Sequence, residues 1–523
     1  MVDCKRLFTV NGKPFYPLGR HRIYMGGYHV RDEAEIEANF KASKLCNANT
    51  VCLAIFWDQL EPEEGKFDFS SIDTLITIAR RYELKLIFLW FATWKNGVMD
   101  YAPGYIKTNP KRYKRVIAPT GNSIWVLSSH CQATLEADKR AFTALCKHLK
   151  ATDSVEQTVI SLQVENEPGI SGSDRDYGPE AQAMYNRPVP AKLVSALKAA
   201  GKGKVYDIWQ NAGGKKTGTW PELFGWEGGE IMTTWSIVSF INEVAKSAKA
   251  AYDIPMFVNV ALGGLGIPGE RYSSGGAVAK VLDIYRWFAP YIDFIAPDNF
   301  STDAVEHKAI NAEYARDDNP LFIVEAPDEI GGIFRDIADF NAIGYFVHYD
   351  QNEDGSIPPE QQRRIHLTRS VAAAIPLLLK YQGTGKIHSV EEPAAAGHFG
   401  SRFAQTDMDG YWGTIEFGVM DSDKPSERGA GLVIQTSRHE FYITGFNFRL
   451  LLRTKPTLQN MQFTLHGGDR SHPGFTNFVL SVDEGHFNQN GEFVAHRRIN
   501  GDYLRGGVWV GPDDTVMRII TCD

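Results

Sequence analysis

The chain is poor in the features that mark several large function classes. Its six cysteines, Cys4, Cys46, Cys52, Cys131, Cys146 and Cys522, form no CxxC pair and have no nearby histidine at zinc-site spacing, so they read as free thiols. No run of 18 apolar residues occurs, so no membrane-spanning helix is expected. The opening MVDCKRLFTV lacks an apolar stretch between a basic start and a small-residue cleavage site. A cytoplasmic location follows as the expectation, although a chain whose signal peptide had been removed would read the same. GxxxxGK[ST], HExxH and strand-to-GxGxxG patterns are all missing, so no cofactor and no metal is implied. Positive charge is scarce as well: 55 Lys and Arg against 63 Asp and Glu leave −8, a surface that repels phosphate backbones. Neither nucleic acid nor a membrane is an expected partner, and a homo-oligomer is left open.

What is present is an ordinary globular composition with many aromatics. Apolar residues at 43% over 523 positions can bury a large core, enough for a barrel plus a smaller module but too long for one small domain. Eleven tryptophans supply flat apolar faces suited to stacking on ligand rings. Through the first two thirds, short apolar runs alternate with helical periodicity. The runs are 15–19, 50–56 (TVCLAIF), 85–91 (KLIFLWF), 159–164 (VISLQV), 256–260, 292–296, 321–324 and 343–347. Between them Ile72, Leu75, Ile76 and Ala79, then Phe142, Leu145, Cys146 and Leu149, fall on single helical faces, as do residues 237–248 and 278–285. Eight buried runs separated by helices predict a parallel (β/α)8 TIM barrel over 1–385. Lys204 to Trp209 is a ninth run, assigned to a Gly-flanked loop excursion, and a helix over 363–380 is expected to shut the barrel. From 386 to 523 the pattern changes to alternation with turn residues, at 431–436, 440–453, 475–482 and 515–522, and predicts a C-terminal antiparallel β-sandwich domain.

The chemistry-bearing segment is VISLQVENEPG, residues 159–169, where a buried strand runs into Glu165, Asn166 and Glu167. Barrel active sites lie at the C-terminal ends of strands, so these residues are expected at the catalytic mouth. Strict alternation would turn Glu165 and Glu167 one way and Asn166 the other. LFIVE, residues 321–325, brings Glu325 to the same end of another strand. Two carboxylates converging across a barrel mouth are what glycosidic hydrolysis requires, one protonating the leaving oxygen and the other attacking the anomeric carbon or activating water. A lone strand-end glutamate would more simply solvate the rim. Trp57, Trp90, Trp94 and Trp235 stand near strand ends as candidate sugar platforms or packing residues, with Trp94 favoured because Lys95 and Asn96 follow it in a loop. Asn259 and Asp298, at the ends of their runs, are suited either to bonding sugar hydroxyls or to holding loops.

QVENEPG, NTVCLAIFWDQLEPEEGKFDF and LFIVEAPDE resemble glycoside hydrolase family 35, the β-galactosidase family. FLWFATWKNG, WPELFG, the Gly275 run, IDFIAPD and RRINGDY resemble its branch with a family-specific C-terminal β module, so the likeness extends over about residues 10–510. The resemblance implies Glu167 as general acid/base, Glu325 as nucleophile, Asn166 as the partner of the sugar 2-hydroxyl, and retention through a covalent glycosyl-enzyme. Carboxyl groups about 5–5.5 Å apart go with that mechanism. Glu165 competes for the acid role from two residues away. Three departures bear on which sugar is accepted: Asn299-Phe300 stands where that branch has a tyrosine, GRHRIYMGG replaces G-E-x-H, and FATWKNG lacks the strand-three-loop glutamate. Phe300 thereby joins the substrate-binding candidates Trp57, Trp94, Lys95, Asn166, Asn259 and Asp298.

The leading expectation is a retaining, exo-acting, β-galactosidase-like glycosidase acting on oligosaccharides. A β-glucosidase or β-glucosyltransferase on the same scaffold is the alternative, favoured if an aromatic-lined acceptor subsite exists, and a non-catalytic carbohydrate-binding protein is the alternative from another class. His21, His29 and His348 read as loop or core histidines, and Tyr411 and Trp412 as residues of a module that mainly walls the barrel entrance.

Overall fold

A computed structural model describes residues 7–22, 32–262, 266–326, 332–348, 350–392, 403–417, 428–455, 479–501, 507–510 and 515–522. The N-terminal hairpin of β1 (Phe8–Val10) and β2 (Lys13–Phe15) precedes the first barrel strand, β3 (Leu18–Arg22). β4 (Thr50–Phe56), β5 (Lys85–Phe91), a side hairpin of β6 (Arg115–Ile117) and β7 (Ser123–Leu127), β8 (Val159–Gln163), β9 (Met256–Ala261), β10 (Phe294–Asp298), β11 (Ile323–Ala326) and β12 (Tyr345–Val347) follow. Strands β3, β4, β5, β8, β9, β10, β11 and β12 close into one parallel barrel. This is the TIM-barrel class expected from eight apolar runs. Between β3 and β4 the approach is so close that a Cβ on Gly19 would lie 1.7 Å from the Thr50 carbonyl oxygen.

Several expected elements move. The first barrel strand starts at Leu18 rather than residue 15, because residues 13–15 pair back on β1 instead. Lys204 to Trp209 is neither strand nor loop but part of the helix Lys204–Asn211, whose Val205 and Trp209 are buried one turn apart. The helix expected over 278–285 covers only Leu282–Phe288. The helix Gln362–Tyr381 follows the last barrel strand and packs on β3, as the helix expected to shut the barrel should, and it also packs on strands of the C-terminal part. Its buried Leu367, Val371 and Leu378 share one apolar core with Leu432, Ile434 and Phe446 of the C-terminal sheets, so it lies between the two halves. The hairpin fills the interior at the strand starts: Phe8 enters the barrel against Phe294 and Phe322, with ring centroids 5.9 and 5.7 Å away, where β10 and β11 begin.

The C-terminal strands form two antiparallel sheets. One orders β13 (Ile387–Glu391), β16 (Ala430–Ser437), β17 (Glu440–Phe446), β22 (Val516–Thr521), β19 (Val479–Phe487) and β20 (Phe493–Arg498). The other orders β14 (Phe403–Met408), β15 (Tyr411–Phe417), β18 (Phe448–Thr454) and β21 (Val508–Val510). Their inner faces meet in a separate core of Val433, Phe441, Ile443, Ile415 and Leu450, a sandwich. The single run expected over 440–453 is two strands in different sheets. Asn447, at φ 57°, turns the corner between them. Tyr411 is buried in this core with its hydroxyl within 2.8 Å of Thr521 Oγ1, while Trp412 is partly exposed with Lys455 over its ring. Five cysteines, Cys46, Cys52, Cys131, Cys146 and Cys522, are free thiols; Cys4 and His29 lie outside the described residues. Among the described residues no helix is long and apolar enough to cross a membrane.

Candidate active site

β8 ends at Gln163, so alternation no longer governs the residues beyond it. Glu165 and Glu167 both adopt left-handed backbone, φ 62° and 47°, and the two carboxylates part company, contrary to the expectation that they point together. Two left-handed non-glycine residues so close together are a costly arrangement that the surroundings must hold. The strand-three loop does so: the Asn166 amide donates to the Trp94 carbonyl at 3.2 Å, and the Asn96 amide donates to the Asn166 carbonyl at 3.1 Å. On the other side Ile170 and Ser274 exchange both amide bonds at 2.9 Å. Gly97 sits where these loops meet; at φ 70° a Cβ there would come within 2.4 Å of Ser273 Oγ and 2.5 Å of Ser171 Oγ.

Glu165 is fully buried. It accepts the Trp94 amide at 2.8 Å and lies against Asp138, which itself accepts Trp90 Nε1 at 2.9 Å and Thr93 Oγ1 at 2.5 Å. Burial, then the Asp138 charge and the bond between the two carboxyls, pushes Glu165 well above the usual carboxylate range. The bonds of Glu165 to the Trp94 amide and of Asp138 to Trp90 and Thr93 hold the start of the strand-three loop. Glu167, in contrast, is only half-buried and borders an open cavity. Its amide donates to Asn259 Oδ1 at 2.8 Å, and Asn259 Nδ2 donates to Asp298 Oδ2 at 2.7 Å. Asn259 and Asp298 are thus engaged with the protein and position Glu167, the loop-holding half of their expected roles. Asp298 also stands in register with Glu325 across β10 and β11.

Burial raises the Glu167 carboxyl; Lys95 draws it back and the Glu325 charge pushes it further up. Glu325 is likewise raised by burial and drawn back by Lys95 and His348. Lys95 therefore acts on both glutamates, and burial lowers its own ammonium against the pull of Glu167, Glu325 and Asp298. His21, expected to be a loop or core histidine, is buried with Nε2 3.6 Å from Glu325 Oε2. Burial first, then Lys95, pushes its imidazole down to about 3, so it stands neutral beside Glu325. Asn166 is buried, and its Oδ1 has no hydrogen-bond partner among the described residues.

The tryptophans do not form the expected platform. Trp57 is enclosed, its Nε1 bonded to the buried Glu61 at 2.9 Å and its ring against Trp90. Trp94 is equally enclosed against Phe240, at 4.9 Å between centroids. Trp90 and Trp235 are buried too. With no open face, these rings belong to the barrel wall. Phe300 is 52% exposed and lines the cavity, and Asn299 beneath it is buried, donating to the His307 carbonyl and Asn311 Oδ1 and accepting the Ser301 amide. Sequence reasoning missed Trp226, Tyr272 and Lys280, which line the same cavity of about 810 Å³. GWEGG, a tryptophan among glycines in the long excursion after β8, was the available signal for Trp226. The described residues contain no cluster of His, Cys, Asp and Glu fit to hold a metal ion.

Residues 29–211 match the glycoside hydrolase 42 family model, described as Beta-galactosidase, and residues 369–511 match a domain of unknown function, DUF5597. The chain is 29% identical over 128 residues to Beta-galactosidase 13 of Arabidopsis thaliana, covering 22% of this chain and 15% of that protein. It is 28% identical over 199 residues to human Beta-galactosidase-1-like protein 3, covering 36% of this chain and 28% of that one. Less than a third of either relative is spanned. Among solved structures, the β-galactosidase from Rahnella sp. R3 superposes with a TM-score of 0.48 at 15% identity, covering 72% of this chain and 58% of that one.

Proposed function

We propose that the protein is a retaining, exo-acting β-glycosidase of the β-galactosidase type that cleaves terminal sugars from oligosaccharides. The observation that carries this reading is the pair Glu167 and Glu325. They come from the C-terminal ends of different barrel strands, interact electrostatically with each other, and share one cation, Lys95. In this reading Glu325 attacks the anomeric carbon while Glu167, kept protonated by burial and by the Glu325 charge, delivers its proton to the departing oxygen. Water then releases the sugar, with Glu167 acting as base. Lys95 and His348 draw Glu325 toward its ionised form against the pull of burial, while His21 stands neutral beside it. Asn166 bonds the 2-hydroxyl. The likeness of residues 29–211 to β-galactosidases supports the substrate class. Placement in family 35, which the motifs resemble, is the narrower part of the proposal.

Matched aryl β-galactoside and β-glucoside test it. Glu325→Gln should lower turnover of either by about 10³-fold or more. Glu167→Ala should still form the glycosyl-enzyme from an activated aryl glycoside and should be rescued by azide, giving a product of retained configuration. Azide rescue of a Glu325 variant with inversion would fit the roles as assigned, whereas an inverted azide product from the Glu167 variant would exchange them.

A further inference from the structure

The 810 Å³ cavity lies toward the upper end of the roughly 300–1,000 Å³ typical of small-molecule sites, more than a single terminal sugar needs. Of the two glutamates, Glu167 borders it and Glu325 does not. A general acid touches the leaving oxygen, so space on its side receives whatever that oxygen is attached to. From Glu167 and Asp298 the cavity is lined by Phe300, Tyr272 and Trp226 and extends to the Lys204–Glu313 ion pair. Trp226, 78% exposed, and Phe300, 52% exposed, keep open faces on this cavity, whereas Trp57, Trp90, Trp94 and Trp235 are buried. Such faces fit the apolar side of sugar rings. The charges around them are already compensated: Lys280 pairs with Glu227 at 2.8 Å and with Glu230, and Lys204 pairs with Glu313 at 2.8 Å. Among the described residues that line the cavity both lysines are already paired, so a phosphorylated, sulfated or uronic chain would gain little from them, whereas a neutral chain can use these groups as hydrogen-bonding partners.

We propose that this cavity is a leaving-group and acceptor subsite for a neutral oligosaccharide of more than one sugar, with Trp226 and Phe300 as its stacking faces. The proposal rests on the glycosidase reading above. In the forward step the bond from the anomeric carbon to the leaving oxygen breaks, Glu325 bonds that carbon, and Glu167 gives its proton to the oligosaccharide held on Trp226 and Phe300. In transfer, a hydroxyl of an oligosaccharide in the same place bonds the anomeric carbon, the Glu325 ester bond breaks, and the hydroxyl proton returns to Glu167. Water takes that part when the subsite is empty.

The test supplies an aryl β-galactoside or β-glucoside as donor and β-1,4-linked gluco-, xylo-, manno- and galactotriose as acceptors, reading transfer product against free sugar. At least one trisaccharide should raise the transfer-to-hydrolysis ratio saturably, and Trp226→Ala and Phe300→Ala should each lower that ratio about tenfold. A ratio unmoved by all four acceptors, or moved equally in the wild type and both variants, would overturn the subsite while leaving the glycosidase intact. If the wild type released no more aryl alcohol than Glu325→Gln, the glycosidase reading would fail instead. Tryptophan fluorescence titrated with the same trisaccharides then decides the site alone: saturable change lost in Trp226→Ala supports it, and no change overturns it.

Discussion

Asp298 has one carboxyl oxygen taken by the Asn259 amide, while its other oxygen and Glu167 Oε2 are buried with no donor assigned. Burial together with the charges of Glu325 and Glu167 holds Asp298 well above the usual carboxylate range. We expect Asp298 to carry a proton that it donates to Glu167, which would satisfy both oxygens at once. Asparagine reproduces that protonated form, accepting from Asn259 and donating to Glu167, so Asp298→Asn should keep kcat/KM within about threefold. Asp298→Ala should lose about 10- to 100-fold, the value of a hydrogen bond to Glu167 once it has given up its proton and stands as the charged base. Equal losses in both variants would rule out the shared proton. Lys95 gives the second residue-scale expectation. Its charge lowers both glutamates. Removing it in Lys95→Met should move both limbs of the pH–rate profile upward: the acidic limb because Glu325 must still ionise, the alkaline limb because Glu167 keeps its proton longer. A profile displaced to lower pH would contradict that arrangement.

Among the elements, the loops after β5, β8 and β9 build the candidate site, and the hairpin at the opposite end of the barrel closes the core. Phe8 fills the space among Phe294, Phe322 and Phe257 that the barrel strands leave at their starts. Phe8→Ala should cost about 3–5 kcal/mol of stability, seen as a lower midpoint in thermal or denaturant unfolding, with kcat at room temperature retained. An unchanged midpoint would mean that the hairpin does not seal the interior. The hairpin was hard to read in the sequence because its strands have three residues each, too short for periodicity. The barrel strands were legible because burial on both faces writes continuous apolar runs. The helix Lys204–Asn211 was misread for the complementary reason: with only Val205 and Trp209 buried, its apolar signal is too sparse to outweigh the flanking glycines.

At the scale of the whole molecule, barrel and sandwich are held together by a shared core and by Arg335. This residue, on the helix Gly332–Phe340, bonds Glu391 of β13 at 2.8 Å and His307 Nδ1 at 3.0 Å. Burial and then Arg335 push His307 down to about 4, so the imidazole is neutral and can accept from the guanidinium. Arg335→Met removes the guanidinium that bonds both Glu391 and His307 at the junction and should cost about 1.5–3 kcal/mol, the value of a hydrogen bond to a charged group. Because residues of both halves occupy one core around the helix Gln362–Tyr381, calorimetry should show a single transition in the wild type. Two separate transitions would show the halves to be independent.

The sequence by itself determined the barrel class, the antiparallel character of the C-terminal part, and the arrival of Glu167 and Glu325 at strand ends, since strand burial and chain order fix those. Only the tertiary structure decided which of two neighbouring glutamates opens to the cavity, because that depends on left-handed turns after the strand and on Asp138 reaching Glu165 from a distant helix. It likewise decided that Trp57 and Trp94 are wall and Trp226 is open. Side-chain exposure is set by what packs across from a residue, and no local pattern records that.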